Sequence, residues 1–150
     1  MYIHWDKKLE TGNVLIDAQH RILVMLFRKL DIAVKTQLPD KTIMRILMEV
    51  RKFVEFHFCS EETLMHEVNY PDVAKHETIH SQLLFELNGL VAKINRRREF
   101  PDDLLSFLND WLVNHIGKED QKVAMHVKLS VERPVAESIY LEYLLTSAPT

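Results

Sequence analysis

Residues 43–65 read IMRILMEVRKFVEFHFCSEETLM. Ile43, Ile46, Val50, Val54, His57, Glu61 and Met65 recur at spacings of three and four, the period of one face of an α-helix. The face is apolar until His57 and Glu61 interrupt it without breaking the period. Residues four apart on a helix sit one above the other, so an imidazole and a carboxylate project into one place on a face that belongs in a core. Burying such groups is costly unless they find partners.

The same period extends outward in both directions. Ile16, His20, Leu23, Phe27, Leu30 and Val34 form one stripe. Val73, His76, His80, Leu83, Leu87, Val91 and Ile94 form another, and Leu104, Leu108, Trp111, Leu112 and His115 a fourth. Pro39-Asp40, Pro71-Asp72 and Pro101-Asp102 stand between them; proline followed by a capping aspartate is a helix-start signal. The spacing predicts helices over 17–37, 41–66, 72–97 and 102–124, joined by short turns. Four long amphipathic helices of this kind make an all-α, up-down-up-down four-helix bundle. Ile3, Trp5 and Leu9 are packing candidates in an N-terminal arm. Residues 1–124 are read as the domain, and 125–150 as a C-terminal extension. In that extension Val135, Ile139, Tyr143 and Leu144 suggest a short extra helix or the start of a linker.

Composition agrees with a helical domain and narrows its function. Only three glycines occur in 150 residues, which suits long helices. The net charge of −3 argues against nucleic-acid and polybasic membrane surfaces. Arg96-Arg97-Arg98 is read as a solvent-facing helix end, where cations favour the helix dipole. No apolar run approaches a membrane span, and the first residues lack the pattern of a signal peptide. The single cysteine, Cys59, rules out an intramolecular disulfide; a cytoplasmic location is the default expectation.

Eight histidines are the unusual feature. One His-x-x-x-His pair such as His76 and His80 is weak, since chance supplies roughly half a match in a chain of this composition. A histidine hydrogen-bonded within a polar patch of a helix interface would explain either pair taken alone. The combination says more: His20, His57 with Glu61, His76 with His80, and His115 with Asp120 bring donors from all four helices to the interior. Five imidazoles and two carboxylates are too many for one tetrahedral zinc and suit two six-coordinate irons with bridging carboxylates. His115 and Asp120 are five apart, about 140° out of line on a regular helix. A widened turn is therefore expected around 116–119, with Gly117 easing it.

The motifs resemble those of the bacterial hemerythrins. Ile16-Asp17-Ala18-Gln19-His20 resembles that family's first histidine motif. Residues 57–65 resemble its His-Phe-x-x-Glu-Glu-x-x-Met, His76 to His80 its His-x-x-x-His, and Trp111 to Asp120 its Trp-Leu-x-x-His-Ile-x-x-x-Asp. Trp5 and Gly12 sit where the family has its arm. The resemblance implies reversible dioxygen binding at two iron ions, Fe2+ or Fe3+, joined by an oxo or hydroxo bridge. His76, His80 and His115 would hold one iron, His20 and His57 the other, and Glu61 and Asp120 would bridge. Leu23, Phe58, Met65, Trp111, Leu112 and Ile116 would line the oxygen pocket, a reading compatible with plain core. Azide and chloride would compete with oxygen.

The resemblance points to an oxygen carrier, store or delivery protein for an oxygen-consuming enzyme, and not to an enzyme. The alternative is an oxygen- or redox-sensing domain coupled to an output domain such as a diguanylate cyclase. A di-iron oxidase or peroxidase would call for a glutamate-rich donor set, which this sequence lacks. Glu62 is read as solvent-facing, with support of a ligand as its other reading. Cys59 is read as a small core or surface residue, and His4, His66 and His126 as surface residues.

Overall fold

The computed structural model describes residues 3–97 and 102–132. Among them there is no strand. After an arm with a 3-10 turn at Lys7–Leu9, the chain forms α1 (Val14–Lys35), α2 (Asp40–Glu67) and α3 (Val73–Arg97). The fourth rod is α4 (Asp102–Asp110), a π-helical turn (Trp111–Glu119) and α5 (Asp120–Glu132). The architecture is the expected four-helix bundle with a further C-terminal helical stretch. The first three helices match their predicted bounds to within three residues, whereas the fourth runs past the expected end at 124. The stretch containing Val135, Ile139, Tyr143 and Leu144 lies outside the described residues. None of the described helices is long and apolar enough to cross a membrane.

Local chemistry sets the ends. Asn13 caps α1 by accepting from the Ile16 amide at 3.0 Å, and Asp17 accepts from Thr11 and Gly12 amides in the turn before it. Gly12 takes φ +84 there, a conformation that glycine adopts without steric penalty. Gln37 and Asn69 take positive φ just after α1 and α2. Behind each, an amide reaches back to the helix, Leu38 to Ala33 at 3.0 Å and Tyr70 to Met65 at 2.9 Å, the 6→1 bond of a Schellman end. Asp72 directly precedes α3 as expected of a cap, but Asp40 does not stand in that position. Pro39 occupies the N-cap of α2 without a side-chain cap bond, and Asp40 is its first residue, where a negative charge still favours the dipole.

The core is divided. A large cluster includes Leu23, Phe27, Leu30, Leu47, Val54, Phe58, Leu87, Leu108, Trp111, Leu112 and Ile116, with Ile3 and Leu9 of the arm packed into it. A smaller cluster holds Ile16, Leu64, Met65, Val68, Tyr70, Val123, Ala124 and Val127. On each helix the two clusters lie on either side of the same polar residues, so a polar layer crosses the bundle between them. Trp5 is half-buried under Arg21, whose guanidinium carbon lies 5.1 Å from the indole centroid.

Candidate metal centre

Every predicted ligand is in the polar layer. His20, His57, Glu61, His76, His80, His115 and Asp120 are each at most 3% exposed. Their donor atoms fall into two groups, Glu61 with His76, His80, His115 and Asp120, and His20 with His57, Glu61 and Asp120; within each group the atoms lie within 4.8 Å of one another. Glu61 and Asp120 belong to both. The i, i+4 spacing of His57 with Glu61 and of His76 with His80 does this on α2 and α3. The π-helical turn does it on the fourth rod, where the Asp120 amide donates to the His115 carbonyl five residues back.

The expected widened turn is thus present and longer than anticipated, starting at Trp111. Gly117 lies within it, as expected, but the space there does not demand a glycine. A Cβ there would meet the Leu112 carbonyl at 3.4 Å and Leu9 at 3.9 Å, ordinary contacts that a side chain tolerates.

The atoms meet as acceptors against acceptors. Gln19 Oε1 lies 2.8 Å from His57 Nδ1, and Glu62 Oε1 lies 2.9 Å from His80 Nδ1. Both oxygens accept, so both rings carry the proton on Nδ1 and turn the Nε2 lone pair inward. His80 Nε2 then sits 3.1 Å from a Glu61 oxygen and 3.1 Å from His115 Nε2. His20 Nε2 is 2.9 Å from Asp120 without alignment for a hydrogen bond, and His57 Nε2 and Glu61 Oε1 are buried with no partner. Lone pairs so arranged require positive charge among them, and metal ions fit. Imidazole with carboxylate suits first-row transition metals; Cys59 is exposed and takes no part.

Without metal, protons have to serve. Burial depresses His76, but its contacts with Asp120 and Glu61 outweigh burial and raise its pKa to about 9. Burial lowers His57 to about 4, with the Glu61 charge offsetting part of the effect. Burial and the Asp120 charge push Glu61 up, yet His76 and His80 hold it at about 2. Asp120 is held well below the usual carboxylate value by His115, His20 and His76, against the effect of burial.

Of the proposed pocket residues, Leu23, Phe58, Trp111, Leu112 and Ile116 share the large cluster. Phe58 stacks on His80 with centroids 3.8 Å apart and leans on Trp111 at 5.3 Å. Met65 is not with them; it lies across the polar layer in the small cluster. Two other placements differ from expectation. Glu62 bonds His80 instead of facing solvent alone. His126 is half-buried, with Nε2 3.0 Å from the Val68 carbonyl and its ring 5.4 Å from that of Tyr70. His4 and His66 are exposed as expected, His66 beside Glu77 at 2.6 Å. Gln19 is a residue that sequence reasoning missed. Its place directly before His20 was the available signal, and only its contact with α2 reveals the role.

Known proteins are similar to this chain. The profile of the hemerythrin HHE cation binding domain matches residues 11–127. A bacteriohemerythrin of Stenotrophomonas maltophilia is 31% identical over 124 residues, covering 83% of this chain and 80% of that protein. A hemerythrin-like protein of Naegleria gruberi is 30% identical, covering 79% of this chain and 88% of its own length. A bacteriohemerythrin of Pseudomonas aeruginosa is 26% identical, covering 91% of this chain and 88% of its own. With its donors converging as they do and the domain profile spanning most of its length, this chain belongs to the hemerythrin family.

Proposed function

We propose that the protein binds dioxygen reversibly at a non-haem di-iron centre, as a carrier, store or source of oxygen. The sharing of Glu61 and Asp120 between two donor groups carries the reading, because a carboxylate has two oxygens and can serve one ion with each. His76, His80 and His115 would complete one position and His20 and His57 the other, which would leave the second with fewer protein ligands and so the one at which a small molecule could bind. A pair of ferrous ions there would supply a reversible two-electron reduction of dioxygen.

The chain's own contribution is orientation and exclusion. Gln19 and Glu62 fix the ring tautomers of His57 and His80. Leu23, Phe58, Trp111, Leu112 and Ile116 keep water from the site with an apolar wall. Neutral imidazoles outnumber carboxylates, so the ions retain more positive charge than in a glutamate-rich site, which favours binding over oxidation of substrates. Azide and chloride, small anions that could bind at the same position, are the proposed competitors.

The reading is tested by metal analysis and by optical spectra of the reduced protein before and after oxygen. Two irons per chain and an oxygen-dependent band that disappears on removal of oxygen are expected. One metal per chain, or stoichiometric zinc, would overturn it.

Sensing is the second reading. Asp120 opens α5, which continues as one helix to Glu132 with Met125 and Leu129 exposed on it. A change at the bridge therefore has a rigid element attached to it, as a ligand-driven shift between two conformations requires.

A further inference from the structure

The two shared carboxylates cannot distinguish the two metal positions. The histidines do, three against two, and so do the partners behind them. At the position of His76, His80 and His115, the outer partner is a carboxylate: Glu62 Oε1 lies 2.9 Å from His80 Nδ1, and the Glu62 side chain is 32% exposed. At the position of His20 and His57, the outer partner is an amide: Gln19 Oε1 lies 2.8 Å from His57 Nδ1. The other end of that amide, Gln19 Nε2, lies 2.8 Å from Ser60 Oγ. An amide nitrogen only donates, so Ser60 accepts and the carbonyl oxygen is the end that faces His57. The remaining histidine with an unpartnered ring nitrogen in each set, His115 in one and His20 in the other, has a buried Nδ1 without a hydrogen bond. Each position thus has one of its histidines oriented by a side chain, and the two orienting groups differ by an anionic oxygen against a neutral one.

A carboxylate draws the Nδ1 proton more strongly than an amide does and leaves Nε2 the better donor. We infer that Glu62 and Gln19 are positioning residues of unequal strength, and that this difference grades the two positions in their affinity for a divalent metal. The position of His80 fills first, and the position of His57 second. Ser60 acts one step further out by accepting from the nitrogen end of the Gln19 amide. The inference rests on the proposed two-ion reading.

Cobalt(II) titration of the metal-free full chain, followed by visible absorption and calorimetry, tests it without reference to oxygen. The native sequence should bind in two resolved steps. Glu62→Gln keeps the shape and an acceptor, so a merely structural role would survive it. It should nevertheless weaken the first step by about 10–100-fold, the usual effect of losing such a partner, and leave the second in place. Gln19→Glu should tighten the second step and narrow the gap between them. The melting temperature of each metal-free variant shows whether the fold is kept. Equal weakening of both steps by Glu62→Gln, or no change in the first, would overturn the inference. Should Glu62→Gln not fold, an unchanged second step in Gln19→Glu would overturn it alone. A native endpoint of one cobalt per chain would instead remove the two-ion reading on which it stands.

Discussion

Within one buried layer His57 and His76 are driven in opposite directions, and metal-free protein should report both. His57 has a folded pKa of about 4 against 6.5, so its contribution to stability is present above pH 6.5 and is lost as pH falls through 4. His76 has a folded pKa of about 9 against 6.5, so its contribution is present below pH 6.5 and is lost as pH rises through 9. Glu61, at about 2 against 4.5, adds stability above 4.5 that disappears only in strong acid. Metal-free protein should therefore melt highest near pH 6.5 and lower on both sides. Loading with metal should flatten the alkaline limb, because a ligating His76 is already neutral. Thermal melts of both forms between pH 4 and 10 check this; a metal-free melting temperature that climbs steadily from pH 7 to 9.5 would contradict it. The five histidines and Glu61 were legible in the sequence because each sits on an apolar stripe, where a polar group needs a reason; Asp120, out of line with its stripe, was legible through the motif that ends in it. Gln19 was not, and Glu62 only as its second reading, since both flank the stripes as solvent-facing residues do. Their role depends on a neighbouring helix, about which the period of their own helix says nothing.

The fourth rod was the one element whose irregularity could be foreseen, from two donors five residues apart. A π-helical segment behaves as an α-helix with one residue inserted, and it brings residues five apart into line. Two length variants follow from that register. Deleting Gly117 should return the rod to a regular α-helix. His115 and the aspartate, now four apart, would remain within about 40° of each other at 3.6 residues per turn. The downstream face of Val123, Ala124 and Val127 would remain on the core. Inserting an alanine after Gly117 should instead set the donors about 120° apart and turn those apolar residues outward. The deletion should keep a folded, metal-binding protein with reduced affinity. The insertion should lose metal and melt lower. Metal stoichiometry and circular dichroism of the two variants decide it, and equal metal binding by both would show that register is not what delivers Asp120. Helix bounds were less legible. Aspartates after proline resemble caps in sequence, yet Asp40 lies one position inside its helix, and nothing in the sequence marked the fourth rod's continuation beyond 124.

At the scale of the molecule, the polar layer divides the bundle into halves of unequal strength. The sequence stripes do not reveal this division, which sets Met65 apart from the other residues that the resemblance assigns to the pocket. The large cluster draws on all four rods and the arm, whereas the small one rests on the ends of α1 and α2, the turn at Val68 and Tyr70, and α5. Ions in the layer would tie both halves together through ligands from every rod. Without them, the layer is a belt of buried polar groups, several lacking partners, each costing about 1–3 kcal/mol when unsatisfied. The small half then has little apolar burial to hold it in place, and local opening follows low contact density. Removing metal should therefore lower amide-exchange protection first in residues 61–76 and 120–130, while 23–34, 43–54 and 104–112 stay protected until the whole bundle unfolds. Exchange measured on metal-free and metal-loaded protein tests this. Uniform loss across the bundle would mean that the halves are one cooperative unit and that the layer does not divide them. The same measurement on reduced and oxidised protein separates the two readings of function. If α5 transmits the state of the centre, protection across 121–132 differs between them. If it does not, those residues exchange alike in both, and the protein binds oxygen without signalling through this helix.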